Sequence, residues 1–229
     1  MLVLGLDLET TGLDANTNEI IEIGAVIWDW DRQVPVQILS ELIRSSQCVP
    51  EEIVSLTGIT DQDLQRWGIP LSDGLRHLHD LAQQVEFIVA HNGVMFDRLF
   101  LERGWLLYPE TRCDQPWIDT LTDLPLPAGI GTRKLTYLAA EHGFLNPYSH
   151  RAVFDVLTML RVLSHYPAAE VLRMQSSPTT KVVAQVSYEE REQAKSEGFK
   201  WDPKQRHWYW EGKACLLENR KFPFPVLRP

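Results

Sequence analysis

Runs of apolar residues near the start of the chain predict three strands in succession. The stretches MLVLGLDLE, EIIEIGAVIWDW and VPVQILSELIR have strand length and many β-branched residues, and turn-forming residues separate the first two. Three consecutive strands with short connections predict an antiparallel meander.

After residue 50 the apolar positions recur at helical spacing. Five segments predict helices: PEEIVSLTG, SDGLRHLHDLAQQ, FDRLFLERG, RKLTYLAAEHG and AVFDVLTMLRVLSH. A fourth strand, VEFIVAHN, lies between the second and third of them. Strands followed by alternating helix and strand predict an α/β domain in which a mixed sheet is flanked by helices.

A change of composition predicts a second domain. The stretch HYPAAEVLRMQSSPTT contains two prolines and a polar cluster, as linkers do. We therefore expect a domain over residues 1–165, a linker over 166–180 and a small α+β module over 181–229. The module should contain the strand KVVAQVS, the helix YEEREQAKSEG and the hairpin FKWDPKQRHWYW, with its turn near Asp202 to Arg206.

Charge is distributed unevenly between these parts. Residues 1–180 contain 12 Lys and Arg against 24 Asp and Glu, whereas residues 181–229 contain 10 against 7. Because affinity for phosphates comes largely from Lys and Arg, an acidic main domain is a poor non-specific binder of nucleic acid. A polyanionic substrate would have to be held there through metal ions and backbone donors.

The cysteines and the apolar runs predict a cytoplasmic protein. There are three cysteines, none in a CxxC pair, which argues against a disulfide framework and a structural zinc site. Met1 leads directly into apolar sequence without a basic leader, and no run approaches the roughly 18 apolar residues of a membrane span. We expect neither secretion nor membrane insertion.

Four carboxylates and one histidine are the candidate chemistry: Asp7, Glu9, Asp97, Asp155 and His150. Asp7 and Glu9 are separated by one residue, so a strand would place both on one face. Their repulsion would be relieved by a cation, and oxygen ligands of this kind suit Mg²⁺ or Mn²⁺. Individually, each of the five could be a solvated, capping or loop residue.

Four segments resemble the signatures of a known family, in order and spacing. DLETTG at 7–12, LTGIT at 56–60, HNGVMFD at 91–97 and SHRAVFD at 149–155 are similar to those of the DEDDh exonucleases, the DnaQ-like group of the ribonuclease-H-like superfamily. The resemblance covers roughly residues 1–165 and implies a ribonuclease-H-like sheet. The tail from residue 181 more loosely resembles a small C-terminal module of some exonucleases.

The resemblance implies a two-metal site and a general base. Asp7 would bridge two divalent cations, Glu9 and Asp155 would complete the site of the ion that activates the nucleophile, and Asp97 would hold the second ion. The ions would stabilise the attacking and leaving oxygens at phosphorus. His150 would accept the proton of the attacking water, so activity should rise between about pH 6 and pH 8.

The resemblance also implies two groups of substrate contacts. One group grips the terminal nucleotide, with Leu13 wedged against a base: Thr10, Thr11, Gly12 and Leu13. The other lines the opposite side: His91, Asn92 and Phe96. Contacts with the backbone and base faces predict specificity for a 3′ end with little sequence preference.

Other features have plainer interpretations. The His77-x-His79 pair lacks further ligands at metal spacing and predicts surface histidines. GIGTRK at 129–134 lacks the P-loop pattern and predicts a helix start, Cys113 has no evident base, and Thr57, Gly58 and Thr60 predict a helix end and packing. The aromatic residues of the tail, interleaved with Lys200, Lys204, Arg206 and His207, fit either nucleic-acid binding or a small core.

Together these observations predict a metal-dependent 3′–5′ exonuclease that releases nucleoside monophosphates, with DNA as the expected substrate. An exoribonuclease that acts on RNA 3′ ends or short oligoribonucleotides would use the same five residues. A noncatalytic nucleic-acid or polymerase-binding subunit on this fold would be expected to lack at least one of them. Expected partners are a nucleic acid with a free 3′ end and, as a candidate, a DNA polymerase or repair complex.

Overall fold

The computed structural model describes residues 1–127, 130–218 and 220–228. Gly129 of GIGTRK, and Asn219 and Pro229 of the predicted C-terminal module, lie outside the described residues. The chain forms two compact units, an N-terminal unit of residues 1–171 and a C-terminal unit of residues 172–229. Among the described residues, no helix has the length and apolar character needed to cross a membrane.

The N-terminal unit contains a five-stranded mixed sheet. Its strands are β1 (Leu2–Thr10), β2 (Ile20–Asp29), β3 (Val34–Leu42), β4 (Phe87–Ala90) and β5 (Trp117–Asp119). Their order is β3-β2-β1-β4-β5, with β1, β2 and β3 antiparallel and β4 and β5 parallel to β1. The predicted meander and fourth strand are confirmed. Three-residue β5 was not predicted, because so short a segment carries no periodic signal.

Among its described residues, six α-helices lie wholly within the N-terminal unit: α1 (Glu51–Thr57), α2 (Asp61–Trp67), α3 (Leu71–Ala82), α4 (Asp97–Leu107), α5 (Leu135–Glu141) and α6 (Ala152–Leu163). Five were predicted. Helix α2 was not, although it begins with a capping box in which the Thr60 side chain and the Asp63 carboxylate each bond to the other's backbone N–H.

The two faces of the sheet pack against different helices. Leu4, Leu6 and Leu8 of β1 lie in a core with residues of α3 and α4, including Leu75, Leu78 and Phe100. The opposite face contacts α6. A Cβ at Gly24 of β2 would lie 2.4 Å from the backbone carbon of Ala152, so only glycine lets the start of α6 approach the sheet here.

The C-terminal unit contains the predicted strand, helix and hairpin. Its strands are β6 (Thr179–Ala184), β7 (Lys200–Asp202), β8 (His207–Lys213) and β9 (Val226–Leu227), in the order β7-β8-β6-β9, and α8 spans Arg191–Ser196. Its small core includes Val182, Ala194, Phe199 and Phe224.

The segment expected to be an irregular linker contains a helix. Helix α7 spans Ala168–Ser176, within residues 166–180. After Pro167 the sequence AAEVLRMQ consists mostly of strong helix formers, and this propensity outweighs the flanking proline and serine signals. The domain limits themselves stay a prediction.

Candidate active site

Strand β1 directs two carboxylates towards α6. A Cβ at Gly5 would touch Val156 and Leu160 of α6, so the alternating residues Asp7 and Glu9 lie on that same face. In the pairing of β1 with β2, Asp7 is opposite Gly24 and Glu9 is opposite Glu22. Because Gly24 has no side chain, the start of α6 can approach Asp7 closely.

Asp97 lies near these carboxylates, at the edge of β1 that pairs with β4. Strand β4 pairs with β1 only at Val3–Gly5, which leaves the later N–H groups on this edge without a strand partner. The N–H of Leu8 donates to Asp97 Oδ1 at 2.9 Å. Asp97 is 2% exposed at the first position of α4, so this bond fixes a buried carboxylate beside Asp7.

His150 and Asp155 are held by the turn that precedes α6. His150 has a φ of +64°, a left-handed conformation that few residues other than glycine adopt. Its N–H donates to Asp155 Oδ2 at 2.7 Å, and Asn146 Nδ2 donates to Asp155 Oδ1 at 2.8 Å. The His150 side chain is exposed beside the carboxylate that orders its backbone.

Glu9, His150 and Asp155 converge on one point. One potential ligand atom from each lies within 4.8 Å of the others. Two carboxylate oxygens and an imidazole nitrogen are a donor set for a divalent cation. Residues more than 140 positions apart in the sequence therefore form a candidate metal centre.

Electrostatics favour a cation at this position. Burial, followed by the negative charges of Asp97 and Glu9, raises the pKa of Asp7 well above its usual range. Burial and the charge of Glu22 raise the pKa of Glu9 to about 8, and burial raises that of Asp97 to about 7. Burial also raises the pKa of Asp155. Without a cation the cluster retains protons near neutral pH, and a divalent cation would replace them.

An ion pair that sequence reasoning missed anchors the start of α6. Glu22 is 1% exposed and accepts hydrogen bonds from Arg151 Nη2 at 2.8 Å and from the Ala152 N–H at 2.9 Å. Arg151 directly follows His150, so the pair fixes the chain beside the candidate site. In the sequence, the feature that could have indicated this pair was the single charged residue Glu22 within the apolar run of β2.

Asp119 is a second missed residue, at the end of the unpredicted strand β5. Its carboxylate accepts the N–H groups of Asn92 at 2.8 Å, Val94 at 3.3 Å and Leu121 at 2.9 Å. Asn92, like His150, has a φ of +64°. Asp119 therefore holds the turn between β4 and Asp97, and its only signal was an acid after three apolar or aromatic residues.

The first group of predicted substrate residues forms a turn after β1. The hydroxyl of Thr10 donates to the Gly12 carbonyl at 2.6 Å, and that of Thr11 donates to Gln47 Oε1 at 2.9 Å. Both threonines are buried, whereas Leu13 is 85% exposed. The threonine side chains thus stabilise the turn, and Leu13 is presented to solvent.

The second predicted group follows β4. His91 is partly buried, Nδ1 lies 2.9 Å from the Thr120 hydroxyl, and burial lowers the pKa of its imidazole. The Asn92 side chain is exposed, and the Phe96 ring packs 5.1 Å from that of Phe100. All three lie within six residues of Asp97.

Exposed aromatic residues also flank His150. The rings of Tyr148 and Phe154 have centroids 4.8 Å apart and are 58% and 36% exposed. Sequence reasoning did not single them out.

The remaining residues that the sequence singled out are explained by contacts within the protein, by burial or by backbone conformation. His77 Nδ1 lies 2.9 Å from Glu41 and His79 Nδ1 lies 2.9 Å from the Arg112 carbonyl, both in exposed settings. Burial raises the pKa of the Cys113 thiol to about 12. Gly58 ends α1 in the left-handed conformation. Arg133 is partly buried and donates to the Leu121 carbonyl, so it is occupied within the protein.

Family models match both units. A model described as Exonuclease (RNase_T) matches residues 4–163, and one described as a domain of unknown function (DUF8626) matches residues 181–228. The first match spans more than half of the chain and contains all five candidate residues.

Curated relatives include replicative polymerases and a polymerase subunit. The chain is 31% identical over 161 residues to the PolC-type DNA polymerase III of Ureaplasma parvum, which covers 68% of the chain but 11% of that polymerase. It is 30% identical over 165 residues to the DNA polymerase III subunit epsilon of Treponema pallidum, covering 69% of the chain and 73% of the subunit. The chain thus spans about a tenth of the length of the PolC-type relatives.

Solved structures share the fold. Escherichia coli exonuclease I in complex with a dT13 oligonucleotide has a TM-score of 0.62 at 18% identity, covering 81% of this chain and 48% of that chain. The nuclease domain of 3′hExo, a DEDDh family member bound to rAMP, has a TM-score of 0.59 at 18% identity, covering 72% and 90%. The predicted ribonuclease-H-like mixed sheet flanked by helices is confirmed. With its fold, its clustered carboxylates and the match over residues 4–163, the chain belongs to the RNase_T exonuclease family.

Proposed function

We propose that the protein is a divalent-metal-dependent 3′–5′ exonuclease that hydrolyses the terminal phosphodiester bond of DNA and releases nucleoside 5′-monophosphates. The observation that carries the proposal is the convergence of Glu9, His150 and Asp155 within 4.8 Å, next to the buried carboxylates Asp7 and Asp97. Membership of the exonuclease family supports it independently.

The carboxylates would hold the metal ions. The fold implies divalent cations, and the raised carboxyl pKa values fit such a charge. We assign Asp7 as the bridging ligand, Glu9 and Asp155 as ligands of one ion and Asp97 as ligand of a second, with Mg²⁺ or Mn²⁺ as occupants. When bound, these ions would stabilise negative charge on the attacking and leaving oxygens.

His150 would act as the general base. Its side chain is exposed, so water and a phosphodiester can reach it, and its backbone is fixed by the bond to Asp155. The imidazole would accept the proton of the attacking water while the bond to the leaving 3′ oxygen breaks. The 3′ oxygen takes up a proton, which leaves a shortened strand and a 5′-monophosphate.

The turn after β1 would grip the terminal nucleotide. Leu13 is exposed enough to pack against a base, and the Gly12 and Leu13 N–H groups have no hydrogen-bond partner within the described residues. Thr10 and Thr11 would act by shaping this turn. His91, Asn92 and Phe96 would contact the nucleotide from the Asp97 side, reading sugar, phosphate and base face without sequence preference.

An exoribonuclease is the second candidate. The solved nuclease domain of 3′hExo holds rAMP, whereas the structure of exonuclease I holds a deoxyoligonucleotide, and both share this fold. DNA is favoured because the curated relatives are DNA polymerase III proteins, and a DNA polymerase or repair complex is the proposed partner. A noncatalytic binding subunit is disfavoured by retention of all five candidate residues. The cytoplasm is the proposed location, in keeping with three free thiols.

The test compares matched 5′-labelled DNA and RNA, single-stranded and duplex, with Mg²⁺, Mn²⁺ or EDTA. We expect a ladder that shortens from the 3′ end, faster on DNA, and disappears with EDTA and in Asp7→Ala. Faster shortening of RNA would select the exoribonuclease. Metal-independent cleavage, or no cleavage of any substrate, would reject the proposal.

A further inference from the structure

The C-terminal unit contains a cleft of about 840 Å³ that lies entirely within this unit. Its walls come from the end of β6 and the following residues, from α8 and from the β7–β8 hairpin. The volume is in the range of ligand-binding pockets, several hundred to about 1,000 Å³. A cleft of this size can hold a nucleotide or a short stretch of polymer.

Three aromatic side chains line this cleft: Tyr188, Trp201 and Trp208. Trp201 and Trp208 are cross-strand partners whose ring centroids lie 5.7 Å apart. Trp208 packs partly against the core, whereas Trp201 is 48% exposed and Tyr188 is 76% exposed. Trp210 is also packed against the core and does not line the cleft. The aromatic residues of the tail are therefore divided between a core and a solvent-facing surface.

Positive charge surrounds these rings. Arg191, Lys195 and Arg206 line the cleft, against one carboxylate, Glu192. Arg191 lies 3.8 Å from the centre of the Tyr188 ring and 3.7 Å from Glu192. Within the described part of the chain, Lys195 and Arg206 have no acidic partner, so two cations remain available to a ligand.

We propose that this cleft binds single-stranded nucleic acid, with bases against Trp201, Trp208 and Tyr188 and phosphates near Lys195 and Arg206. Flat rings beside free cations are the combination that binds single strands without sequence preference. The proposal rests on a nucleic-acid substrate as proposed above. Residues 1–180 contain twice as many Asp and Glu as Lys and Arg. The cations of the cleft would therefore supply electrostatic attraction for a polyanion that the acidic part of the chain lacks.

An acidic peptide could form ion pairs with the same cations, but it would cover less of the aromatic ring faces than stacked bases would. Base stacking occupies whole ring faces, and the exposed ring of Trp201 lies 5.7 Å from the partly exposed ring of Trp208, an arrangement that suits successive bases. The two ligands differ in chemistry and can be offered separately to the full-length protein.

The test measures anisotropy of a 5′-fluorescein oligothymidylate of about 12 nucleotides in EDTA, where hydrolysis cannot occur. We expect Trp201→Ala and Lys195→Glu each to weaken binding about tenfold, with Trp201→Phe close to wild type. Lys195→Glu should also flatten the dependence of binding on salt. The matched control is Lys200→Glu, since Lys200 is exposed, alternates with Trp201 along β7 and does not line the cleft.

Equal affinity in Trp201→Ala, Lys195→Glu and Lys200→Glu would overturn the proposal. So would binding of a fluorescein-labelled acidic peptide, sensitive to Trp201→Ala, without binding of the oligonucleotide. Thermal melting of each variant separates a lost contact from a lost fold, and Trp201→Phe and Lys195→Glu retain the test if Trp201→Ala is unstable. Because affinity is measured without metal, failure of the exonuclease proposal would show separately, as absence of hydrolysis by wild type in Mg²⁺ and Mn²⁺.

Discussion

Glu9 and Glu22 lie opposite each other on β1 and β2, and Glu22 is the one that forms an ion pair with Arg151. Glu22 is held by the Arg151 guanidinium, whereas burial, followed by the nearby carboxylates of Glu22 and Asp155, raises the pKa of Glu9 to about 8. Glu22 thus has a cationic partner within the protein, whereas Glu9 binds a proton or is available to a metal ion.

We expect Arg151→Met to destabilise the protein and lower kcat. Loss of the guanidinium leaves Glu22 buried without its cation, at a cost of about 2 kcal/mol, below that of a fully buried pair because Arg151 is 38% exposed. Urea unfolding and steady-state kinetics measure both effects. Arg161→Met, at an exposed position of α6, is the matched control, and equal behaviour of the two variants would contradict a positioning role for Arg151.

Asp7→Asn should separate stability from activity. The pKa of Asp7 is raised well above its usual range, so folding at neutral pH requires this carboxyl to take up a proton, whereas a neutral amide requires none. The substitution should therefore raise the metal-free unfolding free energy by about 1 kcal/mol, while hydrolysis falls at least about 1,000-fold. Asp80→Asn, at an exposed position of α3, should change neither quantity. A destabilised Asp7→Asn protein would argue that the cluster is not under electrostatic strain.

Metal-free stability should fall as pH rises from about 5 to about 8. The carboxyls of Glu9 and Asp97 have pKa values of about 8 and 7 in the folded protein, above the 4.5 and 3.8 of the unfolded chain. A raised folded-state pKa stabilises the protein below the unfolded value, and that stability is lost as pH rises through the folded value. The carboxyls whose pKa values are lowered, such as Asp14 and Glu19, titrate below this window.

Divalent metal should reverse this loss, because it binds the folded cluster in its deprotonated form. Calorimetric melting in EDTA and in Mn²⁺ at pH 5.5, 7 and 8.5 measures the difference, which should grow with pH. In Asp7→Asn the increase of this metal-induced stabilisation with pH should be smaller than in wild type. A metal-induced shift in Tm that is independent of pH would contradict the assignment.

His150→Ala should lower kcat by about 100-fold to 10,000-fold and remove the rise in activity between about pH 6 and pH 8. Measurement at saturating metal is required, because deprotonation of Glu9 and Asp97 in the same range also favours metal binding. His77→Ala, at a surface histidine paired with Glu41, is the control. A retained pH profile in His150→Ala would exclude His150 as the base.

Cys113 should be unreactive in the folded protein. Its thiol is buried, and its pKa of about 12 leaves about one molecule in ten thousand as thiolate at pH 8. A thiol reagent should modify exposed Cys48 quickly, and Cys113 only after unfolding in guanidinium. Mass spectrometry of the modified peptides assigns the sites, and rapid labelling of Cys113 would contradict its burial.

Sequence by itself determined the elements with strong periodicity and the five candidate residues. The meander, the long helices and the fourth strand follow from apolar spacing, and the spacing of Asp7 and Glu9 placed both on one face. Their assignment also depended on four motifs in family order, because a single carboxylate carries no such information.

Only the tertiary structure decided what surrounds those residues. The pair Glu22–Arg151 and the bonds from Asp119 to the Asn92 turn join residues from distant parts of the chain, so local pattern could not reveal them. The division of the C-terminal aromatic residues between core and cleft likewise depends on strand register. Periodicity reports which face of an element is apolar, whereas the charges that act on one another are set by which faces meet.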